Sequence, residues 1–169
     1  MILQSCAGVI FSIIAAMQDY KEYKIKNKLV LVFIAVGLII NLFRGGLPGL
    51  LGSLTGMIIP IILFPLFALN MLGAGDIKAF MALGAIFGYK NIVMVMCFSF
   101  IAGGIIGILL IAVRKNGFQR IKKLGEYLKV TFLSKSLMKY DGLKEKDAVF
   151  RFAYAIAIGC LCFAIYINK

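Results

Sequence analysis

Two aspartates stand out in a chain that has few acidic side chains. The chain has 169 residues, of which 7 are Asp or Glu and 62% are hydrophobic. Asp76 follows Gly73-Ala74-Gly75 between two apolar stretches, and Asp19 ends an apolar stretch near the N-terminus. A carboxylate in or beside a bilayer is costly, so its presence there indicates a function. Two of them, each at the edge of an apolar segment, predict paired acid–base chemistry.

A pair of carboxyl groups can hydrolyse a peptide bond without a metal or a covalent intermediate. Two carboxylates that share a site cannot both ionise comfortably, so one keeps a proton. The protonated group can donate to a substrate carbonyl, while the ionised group takes a proton from the attacking water. Gly73 and Gly75 would let a substrate strand approach the main chain beside Asp76. Lys78, two residues further on, is the nearest basic residue and could support the same motif.

The residue types exclude several other chemistries. The chain has no His, which excludes Ser-His or Cys-His catalysis and the H-E-x-x-H zinc site. The cysteines lie in apolar segments and form no C-x-x-C pair, so we expect neither a metal site nor a disulfide framework. They are Cys6, Cys97, Cys160 and Cys162. No cofactor is predicted.

The elements that position these residues are apolar helices. A mean hydropathy of +0.99 indicates an integral membrane protein, since a bilayer span needs about 20 apolar residues. We predict an all-α polytopic bundle of about six transmembrane helices, forming a single domain over residues 1–169. A long basic segment, 114–148, would connect the fifth and sixth spans as a cytoplasmic amphipathic stretch. The predicted spans are about 2–18, 29–43, 48–69, 77–89, 91–113 and 149–167.

The distribution of charge predicts the orientation. All basic residues except Arg44, Lys90 and Lys169 fall after the first span, after the third span, or between residues 114 and 151. By the positive-inside rule these regions face the cytoplasm, and both termini face outwards. Asp19 and Asp76 then lie on the same, cytoplasmic face of a multi-pass protein in a prokaryotic cell membrane. The net charge of +12 follows the span boundaries, which indicates contact with an anionic inner leaflet rather than with nucleic acid.

Three segments carry a resemblance to a known family. Gly-Ala-Gly-Asp-Ile-Lys, followed by Ala-Phe-Met-Ala-Leu-Gly, resembles the G-x-G-D motif of prepilin peptidases. These are membrane aspartic proteases whose motif is similar to that of presenilin and signal peptide peptidase. After Asp19, Ile25-Lys26-Asn27 stands where the family carries Ile-Pro-Asn, and 152–159 resembles its closing motif. The resemblance spans about residues 10–160.

The resemblance implies a function and a fold. Asp19 and Asp76 would be the catalytic dyad of a six-helix bundle that cleaves the basic leader of type IV prepilin-like precursors at the cytoplasmic face. The chain lacks the C-x-x-C insertion of the large members. It looks most like the short branch that processes tight-adherence (Flp) prepilins or archaeal preflagellins, for which methyltransferase activity is not expected. Lys26 and Tyr154 replace prolines of the family pattern, which affects substrate preference.

Two other functions fit parts of this pattern. Asp19 and Asp76 could form the relay of a small proton or cation transporter or channel subunit, or the chain could be a non-catalytic assembly subunit. A relay favours carboxylates deep within spans. Transporters frequently contain inverted repeats, and none is evident in this sequence. Here the two aspartates lie at span boundaries beside glycines, which favours access by a polypeptide and water. The simplest interpretation of Glu22, Asp141, Glu145 and Asp147 is solvated loop charge, although the last three could pair with leader lysines.

Overall fold

The computed structural model describes residues 1–22, 24–69, 72–113 and 152–169, and the regular elements of these ranges are helices. The predicted all-α class is therefore confirmed for this part of the chain. The predicted basic segment 114–148 lies outside the described residues, as do Asp141, Glu145 and Asp147. The elements are α1 (Ile2–Glu22), α2 (Asn27–Ile58), a 3-10 segment (Ile59–Leu63), α3 (Phe64–Ala68), α4 (Ala74–Val113) and α5 (Phe152–Ile167).

Within the described residues, three helical stretches are long and apolar enough to cross a membrane. They are Ile2–Glu22, Asn27–Ala68 and Ala74–Leu110, while α5 is apolar but has 16 residues. Large apolar side chains cover the outside of the bundle, among them Phe43 at 85% exposure and Ile62 at 75%. An apolar surface of this kind fits a lipid environment rather than water. The protein is therefore a helical membrane protein, and the number of about six crossings stays a prediction.

Helix α2 reverses direction at Gly46, which has φ 57° and ψ −143°. The Asn41 carbonyl oxygen lies against Gly49 so closely that a Cβ there would collide with it. In a straight helix residues eight apart are separated by about 12 Å, so this contact requires the chain to fold back. A positive φ is accessible to glycine at little cost. Pro48, which has no N–H, follows at the start of the second arm, where that donor is not needed.

Helix α4 reverses in the same way at Gly88, which has φ 75° and ψ 174°. The rings of Phe80 and Phe100 are 6.2 Å apart between centroids. Along a straight helix, twenty residues would separate them by about 30 Å. Residues 74–87 and 89–113 are therefore two antiparallel arms. The reversal at Gly46 falls between predicted spans two and three, and the reversal at Gly88 falls one residue before the predicted end of span four.

The first arm of α4 forms the centre of the bundle. Six of its side chains are fully buried: Ala79, Phe80, Ala82, Leu83, Ala85 and Ile86. Both arms of α2 approach it through glycine, because Gly37 contacts the backbone of Ala85 and Gly56 contacts that of Gly84. Small residues permit such close approach between membrane helices. On the other side, Phe87 packs edge-on against Phe163 of α5 with centroids 5.1 Å apart.

The Asn41 side chain supplies hydrogen bonds to the backbone where α4 turns. The break at Gly88 interrupts the helical bonding of the preceding turn, whose carbonyls include those of Ala85 and Ile86. Asn41 Nδ2 lies 3.0 Å and 2.9 Å from these two carbonyl oxygens. Gln4 Nε2 in turn donates to Asn41 Oδ1 at 2.6 Å. Because unpaired backbone groups are costly away from water, this amide stabilises the reversal at Gly88.

Three basic residues lie at one end of the bundle, namely those that the charge distribution predicts to face away from the cytoplasm: Arg44, Lys90 and Lys169. Arg44 Nη1 donates to Gln4 Oε1 at 2.9 Å, in the first turn of α1. Asn168, beside Lys169, donates to Ser5 Oγ at 3.1 Å. Lys90 follows the reversal at Gly88. Asp19 is fifteen residues along α1 from Gln4, or about 22 Å, and so belongs to the opposite end.

The glycine contact between α2 and α4 yields a stability prediction. A Cβ at Gly84 would lie 2.6 Å from the Gly56 carbonyl carbon and 3.1 Å from Met57 N. We expect Gly84→Ala to destabilise the protein by about 1–3 kcal/mol, since the two helices must move apart. The matched control is Gly104→Ala, because a Cβ there meets nothing within 4 Å. Thermal unfolding in detergent should show a lower Tm for the first variant only, and equal Tm values would contradict the packing described here.

Candidate active site

Asp19 lies in the last turn of α1 and is partly buried. The helix continues to Glu22, beyond the predicted end of the first span at residue 18. Phe11 and Ala15, on the same helix, are buried in the core and fix its position against the bundle. The aspartate is therefore carried by a packed helix rather than by a loop.

Asp76 is the third residue of α4 and is held by Gly73. The Gly73 N–H donates to Asp76 Oδ2 at 3.2 Å, and the Asp76 N–H donates to the Gly73 carbonyl at 3.1 Å. This reciprocal pair resembles one half of a capping box, in which the third helical residue reaches back to the residue before the helix. A negative side chain is also favoured in the first turn of a helix. The local sequence thus fixes where this carboxylate lies.

The fold brings the two aspartates together. The Asp19 carboxylate is near enough to Asp76 to act on it electrostatically. The same ends of α1 and α4 also meet through Ile25, which is 5% exposed and packs against Gly75. The C-terminal end of α1 and the N-terminal end of α4 therefore form one site, at the end of the bundle away from Arg44.

The two motif glycines have different surroundings. A Cβ at Gly73 would lie 3.0 Å from Asp76 Oδ2, which is too close unless the carboxylate moves. Gly75 is part of helix α4 rather than of a loop, and a Cβ there would lie 3.6 Å from Ile25, an ordinary contact. Gly73 is exposed, so its main chain is open to a substrate, whereas the Cβ side of Gly75 is covered by Ile25.

Lys78 reaches across to another helix. Its Nζ donates to Asn27 Oδ1 at 3.0 Å, and Asn27 is the first residue of α2. The sequence predicts Lys78 as a supporting residue of the motif, and the structure gives it this partner. Asn27 is absent from the predicted site. Its position in the Ile25-Lys26-Asn27 triplet was the signal that could have placed it there.

The segment after α1 is held by a second side chain that sequence reasoning missed. The Lys26 N–H donates to Gln18 Oε1 at 3.1 Å. Lys26 has φ −69° and ψ 132°, a backbone conformation that proline also adopts. The residue that replaces proline of the family pattern therefore keeps a compatible φ and adds a hydrogen bond that proline cannot donate. Lys26 Nζ also pairs with Glu22 at 2.6 Å, with both side chains about half exposed. Such an exposed ion pair contributes little to stability.

Two apolar grooves reach this end of the bundle. One of about 420 Å³ lies between α1 and α5, and another of about 350 Å³ lies between α2 and α4. Ile13, Ala16, Met17, Tyr20, Lys21, Tyr154 and Ala157 line the first, and Asn27, Val30, Leu31, Ile34, Lys78 and Met81 line the second. Within the described ranges, no three His, Cys, Asp or Glu side chains are grouped so that they could hold a metal ion.

A comparison with protein families decides the classification. The model of the type IV leader peptidase family matches residues 6–108. The chain belongs to this family. The match includes Asp19, Asp76 and the whole of α2, and it ends before α5. Comparisons with curated proteins and with solved structures gave no match. The predicted family is therefore confirmed, and the chain is a membrane leader peptidase.

Proposed function

We propose that this leader peptidase is an aspartic endopeptidase that uses Asp19 and Asp76 to cleave the basic leader of type IV prepilin-like precursors. The observation that supports the proposal is that two separate helices bring Asp19 and Asp76 to one end of the bundle, near enough for one carboxylate to act on the other. Both lie within the family match. The same match favours a peptidase over a proton or cation relay.

In this mechanism the two aspartates share one proton. Repulsion between like charges keeps one carboxyl group protonated while its partner is ionised. The ionised group removes a proton from a water molecule, whose oxygen attacks the scissile carbonyl carbon. The protonated group donates to the carbonyl oxygen and stabilises the tetrahedral intermediate. When the C–N bond breaks, the proton taken from water passes to the leaving amine, and a hydroxyl of the tetrahedral intermediate returns a proton to the aspartate that had donated one. The products are a carboxylic acid and an amine, and the dyad again holds one shared proton.

The motif residues around the dyad have supporting roles in this proposal. The Gly73 N–H holds one oxygen of Asp76, which leaves the other oxygen for water or substrate. Gly73 has no side chain to displace that carboxylate, and its exposed main chain can pair with a substrate strand. Gly75 lies beneath Ile25 in the first turn of α4, which is packed against the segment after α1.

Substrate recognition would depend on the apolar part of the precursor. Lys21, Lys24 and Lys26 lie at the dyad end of the bundle, so a basic leader gains no electrostatic attraction from them. A precursor's apolar helix instead matches the apolar grooves that reach this end. The proposed substrate is thus a membrane-inserted precursor, and its assignment to the tight-adherence or preflagellin-like class rests on the sequence resemblance alone.

The proposed active site faces the cytoplasm of a prokaryotic cell. The basic residues near the dyad and the location of Arg44 at the other end support the positive-inside orientation. Both termini are then extracytoplasmic, and the basic end contacts the anionic inner leaflet.

The dyad makes a direct prediction. Asp19→Asn and Asp76→Asn should each lower the cleavage rate by at least about 10³-fold, in the range expected when a general acid or base is lost. The measurement uses detergent-solubilised enzyme and a precursor with a basic leader, a Gly at the cleavage site and an apolar helix, with products identified by mass spectrometry. Glu22→Gln is the matched control, because Glu22 is at the same end but pairs with Lys26. Native activity in either Asn variant would exclude this dyad.

A second prediction concerns Gly73. Gly73→Ala places a methyl group 3.0 Å from Asp76 Oδ2, so the carboxylate must move. Because small displacements of catalytic groups are costly, we expect kcat to fall by about tenfold or more while Tm changes little. Gly104→Ala, whose added methyl meets no neighbour, should retain the native kcat. An unchanged kcat in Gly73→Ala would mean that the position of Asp76 does not limit the reaction.

A further inference from the structure

Two hydrogen bonds connect the neighbours of the two aspartates. Gln18, next to Asp19 in the chain, accepts from the Lys26 N–H at 3.1 Å. Asn27, which follows Lys26 in the chain, accepts a hydrogen bond from Lys78 Nζ at 3.0 Å. Lys78 lies two residues after Asp76, in the same turn of α4. These bonds form a short path from one aspartate-bearing helix end to the other.

The packing between these bonds makes the path stiff. Ile25 precedes the two bonded residues, Lys26 and Asn27, in the chain. It is 5% exposed and belongs to the hydrophobic core, where it contacts Gly75. The segment between α1 and α2 is thus attached to α1 by Gln18, to the core by Ile25 and to α4 by Asn27. A movement of α4 relative to α1 must break at least one of these contacts.

Neither bond is placed to contribute much to global stability. Both bonds are exposed to solvent, and such contacts have small net energies. The two carboxylates, however, need a defined separation to share one proton and one water, and an error of about 1 Å in a catalytic site can cost about 10²-fold in rate. Weak bonds at this location therefore have more influence on rate than on unfolding.

We propose that Gln18, Asn27 and Lys78 are positioning residues that set the distance between Asp19 and Asp76 through the 24–27 segment. This inference rests on the proposed function of the dyad. In this positioning role, Lys78 acts through Asn27 and does not touch the reacting atoms. Lys26 contributes its backbone N–H, and its side chain is not required.

The first test is a double-mutant cycle on Asn27 and Lys78 in the full chain, with cleavage of the precursor described above as the assay. Asn27→Ala and Lys78→Met should each lower kcat at saturating substrate by about tenfold, because the geometry of the dyad changes. The readout is kcat rather than KM, since both residues also line the groove between α2 and α4 that is proposed to receive the precursor. The double variant should be no slower than the slower single variant, since both substitutions break one bond. Asn27→Asp keeps an oxygen acceptor for Lys78 and should restore most of kcat.

The matched control for loss of a basic side chain is Lys28→Met. Lys28 is an exposed neighbour of Asn27 and has no place in the proposed path. It should retain the native kcat, and Tm in detergent should stay close to the native value in all these variants. A kcat loss in Lys28→Met equal to that in Lys78→Met would overturn the proposal, because charge alone would then explain the effect.

The second test isolates the backbone bond of Lys26. Lys26→Pro removes the N–H, while the native φ of −69° suits the ring. Gln18→Ala should lower kcat severalfold in the native chain and have no further effect in the Lys26→Pro background. Equal effects in the two backgrounds would show that Gln18 acts by another route and would overturn its role here.

The outcomes separate this proposal from the proposed function. If Asp19→Asn and Asp76→Asn are inactive while Asn27→Ala, Lys78→Met and their double variant cleave at the native rate, the dyad stands and the positioning role is wrong. Additive losses from Asn27→Ala and Lys78→Met would also overturn it. If the two Asn variants at 19 and 76 are active, the proposed function fails, and the positioning role fails with it.

Discussion

The close packing of the first arm of α4 constrains the rest of the fold. This arm is enclosed by α2 on one side and α5 on the other, and its contacts with α2 are made backbone to backbone through Gly37, Gly56 and Gly84. Backbone contact leaves no flexible side chain to absorb a shift of one helix against the other. The start of the arm carries Asp76, so the position of this carboxylate follows from packing much deeper in the bundle.

Reversing a helix within an apolar protein requires compensation for the interrupted backbone bonding. Both reversals use a glycine with positive φ, and Asn41 serves the α4 turn by bonding to its carbonyls. Gln4 then fixes the orientation of the Asn41 amide and ties α1 to the same end. One end of the bundle is thus stabilised by a partly buried network of side-chain amides. The other end is left for exposed polar groups and the two carboxylates.

The sequence predicted the features that depend on composition and local spacing. Apolar lengths identified helices, and the charged or glycine-rich breaks near Arg44 and Lys90 marked the points where α2 and α4 turn. The association of Asp19 with Asp76 followed from topology, since a consistent orientation placed both at one end. These inferences needed no knowledge of which side chains touch.

Contacts between distant segments could not be predicted in this way. Nothing in the local sequence states that Gln18 accepts from the Lys26 N–H or that Lys78 reaches Asn27, because each bond depends on the relative placement of two helix ends. The extent of α4 was also missed. The predicted fourth span begins at residue 77, whereas the bonds between Gly73 and Asp76 begin the helix at Ala74, so Gly75 and Asp76 belong to it.

In the proposed mechanism, the division of the two aspartates between separate helix ends has a physical consequence for how a polypeptide can be cut. Carboxylates on a single rigid helix would have a fixed spacing, and an extended substrate could not pass between them. Here Asp19 and Asp76 approach from separate helices, and exposed Gly73 borders the space beside them. Packing at the core fixes the helices, and in our proposal the exposed bonds of Gln18 and Asn27 set the spacing of their ends. A site built in this way would admit a strand of substrate at the end of the bundle without requiring the core to open.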